Sequence, residues 1–354
     1  MTLTSSAAVV TSVPIWRRLD GGVKSLYPGY FAMVMATGIV SNAFNALGVE
    51  WLSDALLAIN LVAFPVLVAA TVARVTRHPR ALWTNLVDPR LVFSFFTLVA
   101  AADVLGIQLF LRGIDGPAIG LWVFALIAWV LLSYFSFSVL TFLNHGTGAD
   151  VVHGGWLIAI VGTESLALLG VRLAPELGTA AFVLVYLLWG IGIVLYGIFV
   201  TLFAYRIFFL RVTAADMNPL FWVIMGAAAI ATNAGSTLIV TPTGLPFLEA
   251  MHAFVDGTTL ILWAWATWWI PLLVIFGVWR HIVCREPLVY HPMYWSLVFP
   301  LGMYTLATYR LALAADFTVL HDAARVLVWF AFGAWLLTMT GLMRSIARML
   351  RPAT

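Results

Sequence analysis

Three carboxylic acids lie inside long apolar stretches of this sequence, where an ionisable side chain is costly. Glu164 is near the middle of WLIAIVGTESLALLG, Asp103 lies within VAAADVLGIQ, and Asp256 lies within MHAFVDGTTL. A charged side chain at the centre of a membrane costs about 2.5–3.5 kcal/mol or more, so such residues often mark transport paths or proton relays. No Lys or Arg lies at a similar depth to neutralise Glu164, which therefore either faces water or carries a proton. A structural role as neutral, hydrogen-bonded carboxyls stays open for all three.

A proline interrupts another apolar stretch, YWSLVFPLGMYTLAT, which extends from Tyr294 to Thr308. Pro300 cannot donate a hydrogen bond to the carbonyl of Ser296, and its ring crowds the preceding turn. In lipid such freed backbone is tolerated only against protein or water. A half-helix that restarts at Pro300 would point a weakly positive N-terminus toward the middle of the membrane, which favours a loosely held anion. The sequence therefore predicts a bent helix beside a water-filled path.

Small and hydroxylated residues recur at comparable depths in three of the apolar stretches. Helix packing explains any one of them, but a polar stripe on several helices together favours a shared aqueous path. The residues are Thr37, Gly38, Ser41 and Asn42 in one stretch, Thr232, Asn233, Gly235, Ser236 and Thr237 in a second, and Gly302, Tyr304, Thr305 and Thr308 in a third. The candidates for lining the path are Thr37, Gly38, Glu164, Asn233, Ser236 and Gly302.

Several other chemistries are not expected from this sequence. It has no GxxxxGK[ST] phosphate loop, so we do not expect ATP-driven pumping. Its seven histidines lie at or near the ends of apolar stretches and do not suggest paired haem ligands; His281 and His291 flank one loop without indicating a metal site. The single cysteine, Cys284, cannot form an internal disulfide. We therefore expect no enzyme activity, cofactor or metal, and no nucleic-acid partner, because no basic run carries interleaved aromatics.

The composition places all of these residues in a membrane. Of 354 residues, 63% are hydrophobic and only 9% are charged. Apolar runs of about 18 residues or more recur along the chain, each long enough to cross a bilayer as a helix. The sequence predicts an all-α polytopic membrane protein, with residues 1–25 as a short cytoplasmic segment without a signal peptide and residues 26–350 as the membrane domain. The ten predicted spans are 26–46, 52–73, 91–111, 117–142, 154–173, 178–206, 219–241, 249–279, 292–314 and 324–347.

The distribution of basic residues predicts the orientation. Ten spans place both termini on one side, and Lys and Arg favour the cytoplasm. With the N-terminus inside, only four of the 18 basic residues fall outside, namely Arg112, Arg172, Arg310 and Arg325. We therefore expect a multi-pass protein of the cell membrane, in contact with the lipid bilayer, with both termini in the cytoplasm and five helical hairpins. No sequence repeat among the hairpins is evident.

Two stretches carry a family resemblance that extends over essentially the whole chain. SLYPGYFAMVMATGIVSNAFNALG and WSLVFPLGMYTLAT resemble the tellurite-resistance/dicarboxylate transporter family, which includes TehA-type bacterial proteins, fungal malate and sulfite transporters and plant guard-cell slow anion channels. The resemblance implies a homotrimer whose protomers each hold a pore. It implies five odd-numbered helices inside, with quasi-fivefold symmetry, and five even-numbered helices outside. It also implies a phenylalanine on the kinked ninth helix that plugs the pore, and Phe299 beside Pro300 matches it.

Two functional hypotheses follow. The first is an anion channel or facilitator for small inorganic anions or C4-dicarboxylates such as malate, gated by Phe299; simple packing of Phe299 beside an incidental kink is the alternative. The second is a proton-coupled dicarboxylate carrier that uses Glu164, a residue that we do not recognise in the anion-channel pattern. Asp103 is a further candidate for proton coupling. Arg310 could receive a carboxylate, unless it only extends to the membrane interface.

Overall fold

A computed structural model of the chain describes residues 14–144 and 151–350, so His145 lies outside the described residues. Residues 15–24 of the predicted cytoplasmic segment form a helix that packs against the helix Glu50–Arg77. The described residues form helices and no strand, as expected for an all-α protein. The helices are α1 (Ile15–Lys24), α2 (Ala32–Ala46), α3 (Glu50–Arg77), α4 (Pro79–Leu86), α5 (Phe96–Phe110), α6 (Asp115–Phe142), α7 (Ile158–Leu177), α8 (Thr179–Phe209), α9 (Val223–Ile239), α10 (Pro246–Ala250), α11 (His252–Val278), α12 (Trp295–Ala314) and α13 (Thr318–Leu350).

Nine helices in the described part of the chain are long and apolar enough to cross a membrane. They correspond to nine of the ten predicted spans, which confirms a polytopic membrane protein. The first predicted span, 26–46, contains α2, which has 15 residues and carries Ser41, Asn42 and Asn45. It has the same length as α5 but is more polar, and it lies among the other helices, in contact with α5 and α12. The count of ten spans therefore stays a prediction.

Five helices form a closed inner ring. In the order α2, α5, α7, α9 and α12, each helix contacts the next, and α12 returns to contact α2. The other five long helices, α3, α6, α8, α11 and α13, each pack on the inner helix that precedes them in the chain. Their outward sides carry exposed large apolar residues, whereas most residues of the inner helices are buried. This confirms the predicted arrangement of odd-numbered helices inside and even-numbered helices outside.

Each inner helix begins with a short 3-10 turn, and the five turns contact one another in the same cyclic order as the helices. Three of the turns start with proline, which suits the first position of a helix because no amide partner is needed there. The other two start with valine or glycine, so the fivefold repeat lies in the backbone and is not evident in the sequence. The turns are Pro28–Phe31, Val92–Phe95, Gly154–Leu157, Pro219–Trp222 and Pro292–Tyr294. We call the end of the ring that they form the turn end, and the opposite end the far end.

Tryptophan side chains connect four of the outer helices, each to the inner helix that follows it in the cyclic order. Trp335 of α13 donates its indole N–H to the Thr37 hydroxyl of α2 over 2.9 Å, and Trp263 of α11 donates to the Thr308 hydroxyl of α12 over 3.0 Å. The same relation joins α6 to α7 and α8 to α9. Each buried indole therefore satisfies its donor while it fixes the spacing of the two rings. The remaining bonds are Trp129 to the Thr163 hydroxyl, Trp122 to the Leu166 carbonyl and Trp189 to the Ala231 carbonyl.

Candidate permeation path

Helix α12 continues without a break through Pro300. The proline lies five residues after the first residue of the helix, so only the bond to the Ser296 carbonyl is lost. The expectation of a half-helix that restarts at Pro300 is therefore corrected, and no helix N-terminus lies at this depth of α12. The proline ring instead packs on α9, where a Cβ added to Gly226 would lie 2.7 Å from Pro300 Cγ.

Phe299 lies on the side of α12 that faces the inside of the ring. The opposite side is defined by contacts with the outer helix α11, where the Tyr304 hydroxyl lies 2.8 Å from that of Thr267 and Thr308 binds Trp263. Phe299 precedes Thr308 by nine residues, or two and a half turns, so the two side chains project about 180° apart. Phe299 is only 1% exposed. A large aromatic ring is thus buried on the inner side of the ring of helices.

Three of the predicted lining residues lie at contacts between helices. Thr37 binds Trp335 of the outer helix α13. A Cβ added to Gly38 would lie 2.9 Å from the side-chain nitrogen of Asn60 in α3. A Cβ added to Gly302 would lie 2.8 Å from Ile39 Cγ2, so this glycine lets α12 approach α2. Small size at these positions allows close packing.

The intramembrane acids differ in their surroundings. Glu164 is fully buried, and its carboxyl lies against Gly192 of the outer helix α8, where an added Cβ would overlap it. Neither Glu164 oxygen has a hydrogen-bond partner among the described residues. The Oδ2 of Asp103 accepts from the Ser165 hydroxyl over 2.7 Å, which joins α5 to α7. Asp256 is exposed on α11, so it is not an acid inside the bundle.

Polar groups without partners lie on α2 and α9, the two neighbours of α12. The amide nitrogen of Asn233 contacts the Met303 sulfur of α12 at 3.5 Å, whereas its Oδ1 has no partner among the described residues. The Ser236 hydroxyl and both amide atoms of Asn42 are also buried without partners there. Asn42 and Asn233 occupy equivalent places, each fourteen residues after the proline that opens its 3-10 turn. Buried amide atoms without hydrogen-bond partners destabilise the folded state, so these positions favour a bound water molecule or anion.

A residue that sequence reasoning passed over lies at the far end of the ring. Arg172 is half-buried near the end of α7, as Arg310 is near the end of α12. In the sequence, Arg172 stands out only as one of the four basic residues that are predicted to lie outside the cytoplasm. The signal that could have found it is its place in the helix repeat, which becomes apparent only when the 3-10 turns are aligned. Among the described residues, no group of three or more His, Cys, Asp and Glu side chains could hold a metal ion.

Comparison with known proteins adds a family and several relatives. A family model described as SLAC1, voltage-dependent anion channel, matches residues 25–343. An uncharacterized transporter of Methanocaldococcus jannaschii is 26% identical over 328 residues, which cover 90% of this chain and 94% of the relative. A second uncharacterized transporter of that organism is 24% identical over 335 residues, which cover 90% and 92%. An uncharacterized membrane protein of Mycobacterium tuberculosis is 38% identical over 133 residues, which cover 38% of this chain and 67% of the relative.

Proposed function

Because this chain belongs to the voltage-dependent anion channel family, we propose that it conducts anions through the inside of its five-helix ring, with Phe299 as the gate. The anions are small inorganic ions or C4-dicarboxylates such as malate. The observation that carries the proposal is the position of Phe299, buried on the inner side of α12 and opposite the contacts with α11.

The energetics of one buried ring suit a gate that is closed at rest. Burial of a phenylalanine side chain is worth about 2 kcal/mol, which would favour the closed state over the open state by about 30-fold. Such a bias keeps the leak low and is still small enough for a modest stimulus to reverse. Packing of the same strength elsewhere in the bundle would have no effect on flux.

Pro300 supplies the mobility that a gate at Phe299 needs. The carbonyl of Ser296 lacks its usual helical donor, so the first turns of α12 are held to the rest by one bond fewer. The close contact of the Pro300 ring with Gly226 fixes the point about which those turns can move. A small rotation there carries Phe299 away from the ring axis while the rest of α12 keeps its contacts with α11.

The experiment is flux into proteoliposomes loaded with chloride, nitrate, sulfite or malate. Phe299→Ala is expected to raise anion flux, because the side chain that closes the ring is removed. The matched control is Phe330→Ala, which truncates an exposed phenylalanine of the outer helix α13 and is expected to leave the flux unchanged. An unchanged or lower flux in Phe299→Ala would remove the gate assignment.

A second candidate function is proton-coupled carriage of a dicarboxylate. It is favoured by Glu164, whose buried carboxyl has no hydrogen-bond partner in the described residues and lies against Gly192. A buried carboxylate without a partner is strongly unfavourable, so the neutral acid suits this site and a proton could be taken up and released there. The Glu164→Gln variant separates the two functions. It is expected to abolish dependence on a pH gradient in a carrier and to leave a channel conductive.

We also propose the finer assignments that the family resemblance implies. The protein is a homotrimer in the cell membrane, with a separate path in each protomer and both termini in the cytoplasm. The exposed apolar sides of the outer helices offer the surface that such an assembly and the surrounding lipid would cover. Cross-linking of the purified protein in lipid nanodiscs tests the trimer, and labelling of Cys284, which is exposed, from either side of the membrane tests the orientation.

A further inference from the structure

Arg172 and Arg310 occupy the same place in the fivefold repeat. Each is the eighteenth residue after the first residue of its 3-10 turn, Gly154 for α7 and Pro292 for α12. Because the turns form a ring at one end, equal counts place the two arginines at the same depth, about 27 Å from the turns at 1.5 Å per residue. Thr237 has the same count from Pro219 on α9, the inner helix between them.

Both arginines project toward the inside of the ring. Arg172 follows Thr163 by nine residues, so it lies about 180° from the side of α7 that binds Trp129 of α6. Arg310 follows Phe299 by eleven residues, close to three full turns, so the two side chains share the inner side of α12. Arg310 therefore lies about 16 Å beyond Phe299 along the same face, toward the far end.

The two arginines lie at the same depth on the inner sides of α7 and α12, without a carboxylate partner among the described residues. Their helices, α7 and α12, are both neighbours of α9 in the ring. Within residues 14–144 and 151–350, neither arginine forms an ion pair with a carboxylate. The Nε of Arg310 has no partner in the same part of the chain, and Arg172 donates to its own helix at the Leu168 carbonyl over 2.6 Å.

The other two arginines on the same side of the membrane behave differently. Arg112 forms an ion pair with Asp54 at 2.5 Å, and Arg325 forms one with Asp322 at 3.6 Å. Their charges are already compensated by neighbouring carboxylates. Two half-buried cations without a counter-charge are stabilised by an anion that binds between them.

We propose that Arg172 and Arg310 form an anion-binding site at the far end of the ring, which captures anions before they reach Phe299 and holds divalent oxyanions and dicarboxylates more tightly than monovalent ions. Each planar guanidinium group can donate two parallel hydrogen bonds to an oxyanion, so the pair matches an anion with two negative charges or two carboxylates. The Asn42 amide, which has no partner among the described residues, and the Asn233 amide lie four positions nearer the turns and offer the next hydrogen bonds along the path. The site deepens the proposed function because it rests on the ring interior as the route of permeation.

The first test measures binding without transport. Thermal unfolding of the purified protein is followed at constant ionic strength with sulfate, succinate or chloride, since a ligand that binds the folded state raises Tm. Sulfate and succinate are expected to stabilise the wild type more than chloride does. R172Q and R310Q are each expected to weaken sulfate binding about tenfold, the loss typical of one charge-assisted hydrogen bond.

Two controls keep this test decisive. R325Q removes an arginine on the same side of the membrane that is paired with Asp322, and its response to sulfate is expected to match the wild type. R172K and R310K keep the charge, so they retain most of the sulfate response even if the glutamine variants fail to fold. An equal sulfate response in wild type and R172Q, or an equal loss in R325Q, would overturn the site.

The second test separates this site from the proposed function. In the Phe299→Ala background, sulfate flux from the far-end side is expected to fall about tenfold in R172Q or R310Q, and chloride flux is expected to fall less. If Phe299→Ala conducts no anion while sulfate still stabilises the protein through both arginines, the proposed function fails and the binding site stands. If anions flow and the arginine variants change neither binding nor flux, the site fails and the proposed function stands.

Discussion

Helices α2 and α12 are neighbours in the ring, and each begins with a proline-led 3-10 turn, yet they present different groups to the interior. On α2, Thr37 binds an outer-helix tryptophan and Gly38 packs against α3. On α12, the hydroxyls of Tyr304 and Thr308 also face an outer helix, while Phe299 is buried on the inner side. Small hydroxylated residues thus fix the two rings of helices together. The proposed path is instead lined by the aromatic ring of Phe299, by two arginines without a carboxylate partner and by amide oxygens without a partner among the described residues.

The largest effect on anion flux is expected at the proposed gate, and it would distinguish the inner side of α12 from the outward side of α2. Phe299→Ala on α12 is expected to increase anion flux by about 30-fold in proteoliposomes, because burial of the ring closes the path. Thr37→Val on α2 is expected to leave flux at the wild-type level, since that hydroxyl faces α13. A large change of flux in Thr37→Val would contradict this difference between α2 and α12.

The contact between α2 and α12 is the next most sensitive position. A Cβ at Gly302 would lie 2.8 Å from Ile39, so Gly302→Ala is expected to lower the free energy of unfolding by roughly 1–3 kcal/mol. Gly333→Ala is the matched control, because nothing lies within 4 Å of a Cβ there and alanine favours a helix. Thermal unfolding of both variants in the same detergent measures the difference. Equal Tm values would show that α2 and α12 are less closely packed than described.

The hydrogen bond between the rings should matter for stability and not for flux. Trp335→Phe removes the donor to Thr37 and is expected to cost about 1 kcal/mol of unfolding free energy. Anion flux through the Phe299→Ala background should be unaffected by this second change. A double-mutant cycle with Thr37→Val measures the coupling, and additive losses would contradict a direct bond.

A pH dependence is expected at the turn end, where the turns before α7 and α12 both follow a histidine that accepts a backbone N–H. The Nδ1 of His153 accepts from Gly155 at 3.0 Å and its Nε2 lies 2.5 Å from the Arg90 carbonyl. Burial lowers the pKa of His153 from 6.5 to about 4. Between these values the unfolded chain binds a proton that the folded chain does not.

The free energy of unfolding is therefore expected to fall as pH falls from about 6.5 to about 4. Chemical denaturation across this range measures the slope. His153→Gln, which cannot titrate, is expected to flatten part of the curve, and an unchanged slope in that variant would assign the dependence to other groups.

Sequence reasoning predicted the membrane helices because hydropathy is a one-dimensional signal, whereas the inner and outer placement of the helices came from the family resemblance. It could not predict which side of a helix a residue occupies. Thr37 and Gly38 were predicted to line the path, but their neighbours are residues of α13 and α3 that lie far away in sequence. Pro300 was expected to divide α12, yet the loss of one bond near its start is tolerated because the ring packs against Gly226.

The other features that sequence reasoning did not predict were missed for the same physical reason. α2 is as long as α5 but falls short of a membrane span in hydropathy, because it carries polar residues, such as Ser41 and Asn42, that are buried among other helices. Arg172 was missed because its relation to Arg310 depends on a repeat of backbone turns. No residue type marks that repeat along the chain.

The circle of five 3-10 turns has a consequence for the direction of current. An anion entering from that end meets turns of main chain whose neighbouring arginines, Arg206 and Arg280, already bind the Val152 and Met217 carbonyls. One entering from the opposite end meets Arg172 and Arg310, which have no carboxylate partner among the described residues. The first energetic step therefore differs for the two directions of travel, and equal voltages of opposite sign should drive unequal currents. Rectification would then be a property of the scaffold, set by where the helices begin and independent of the aromatic plug.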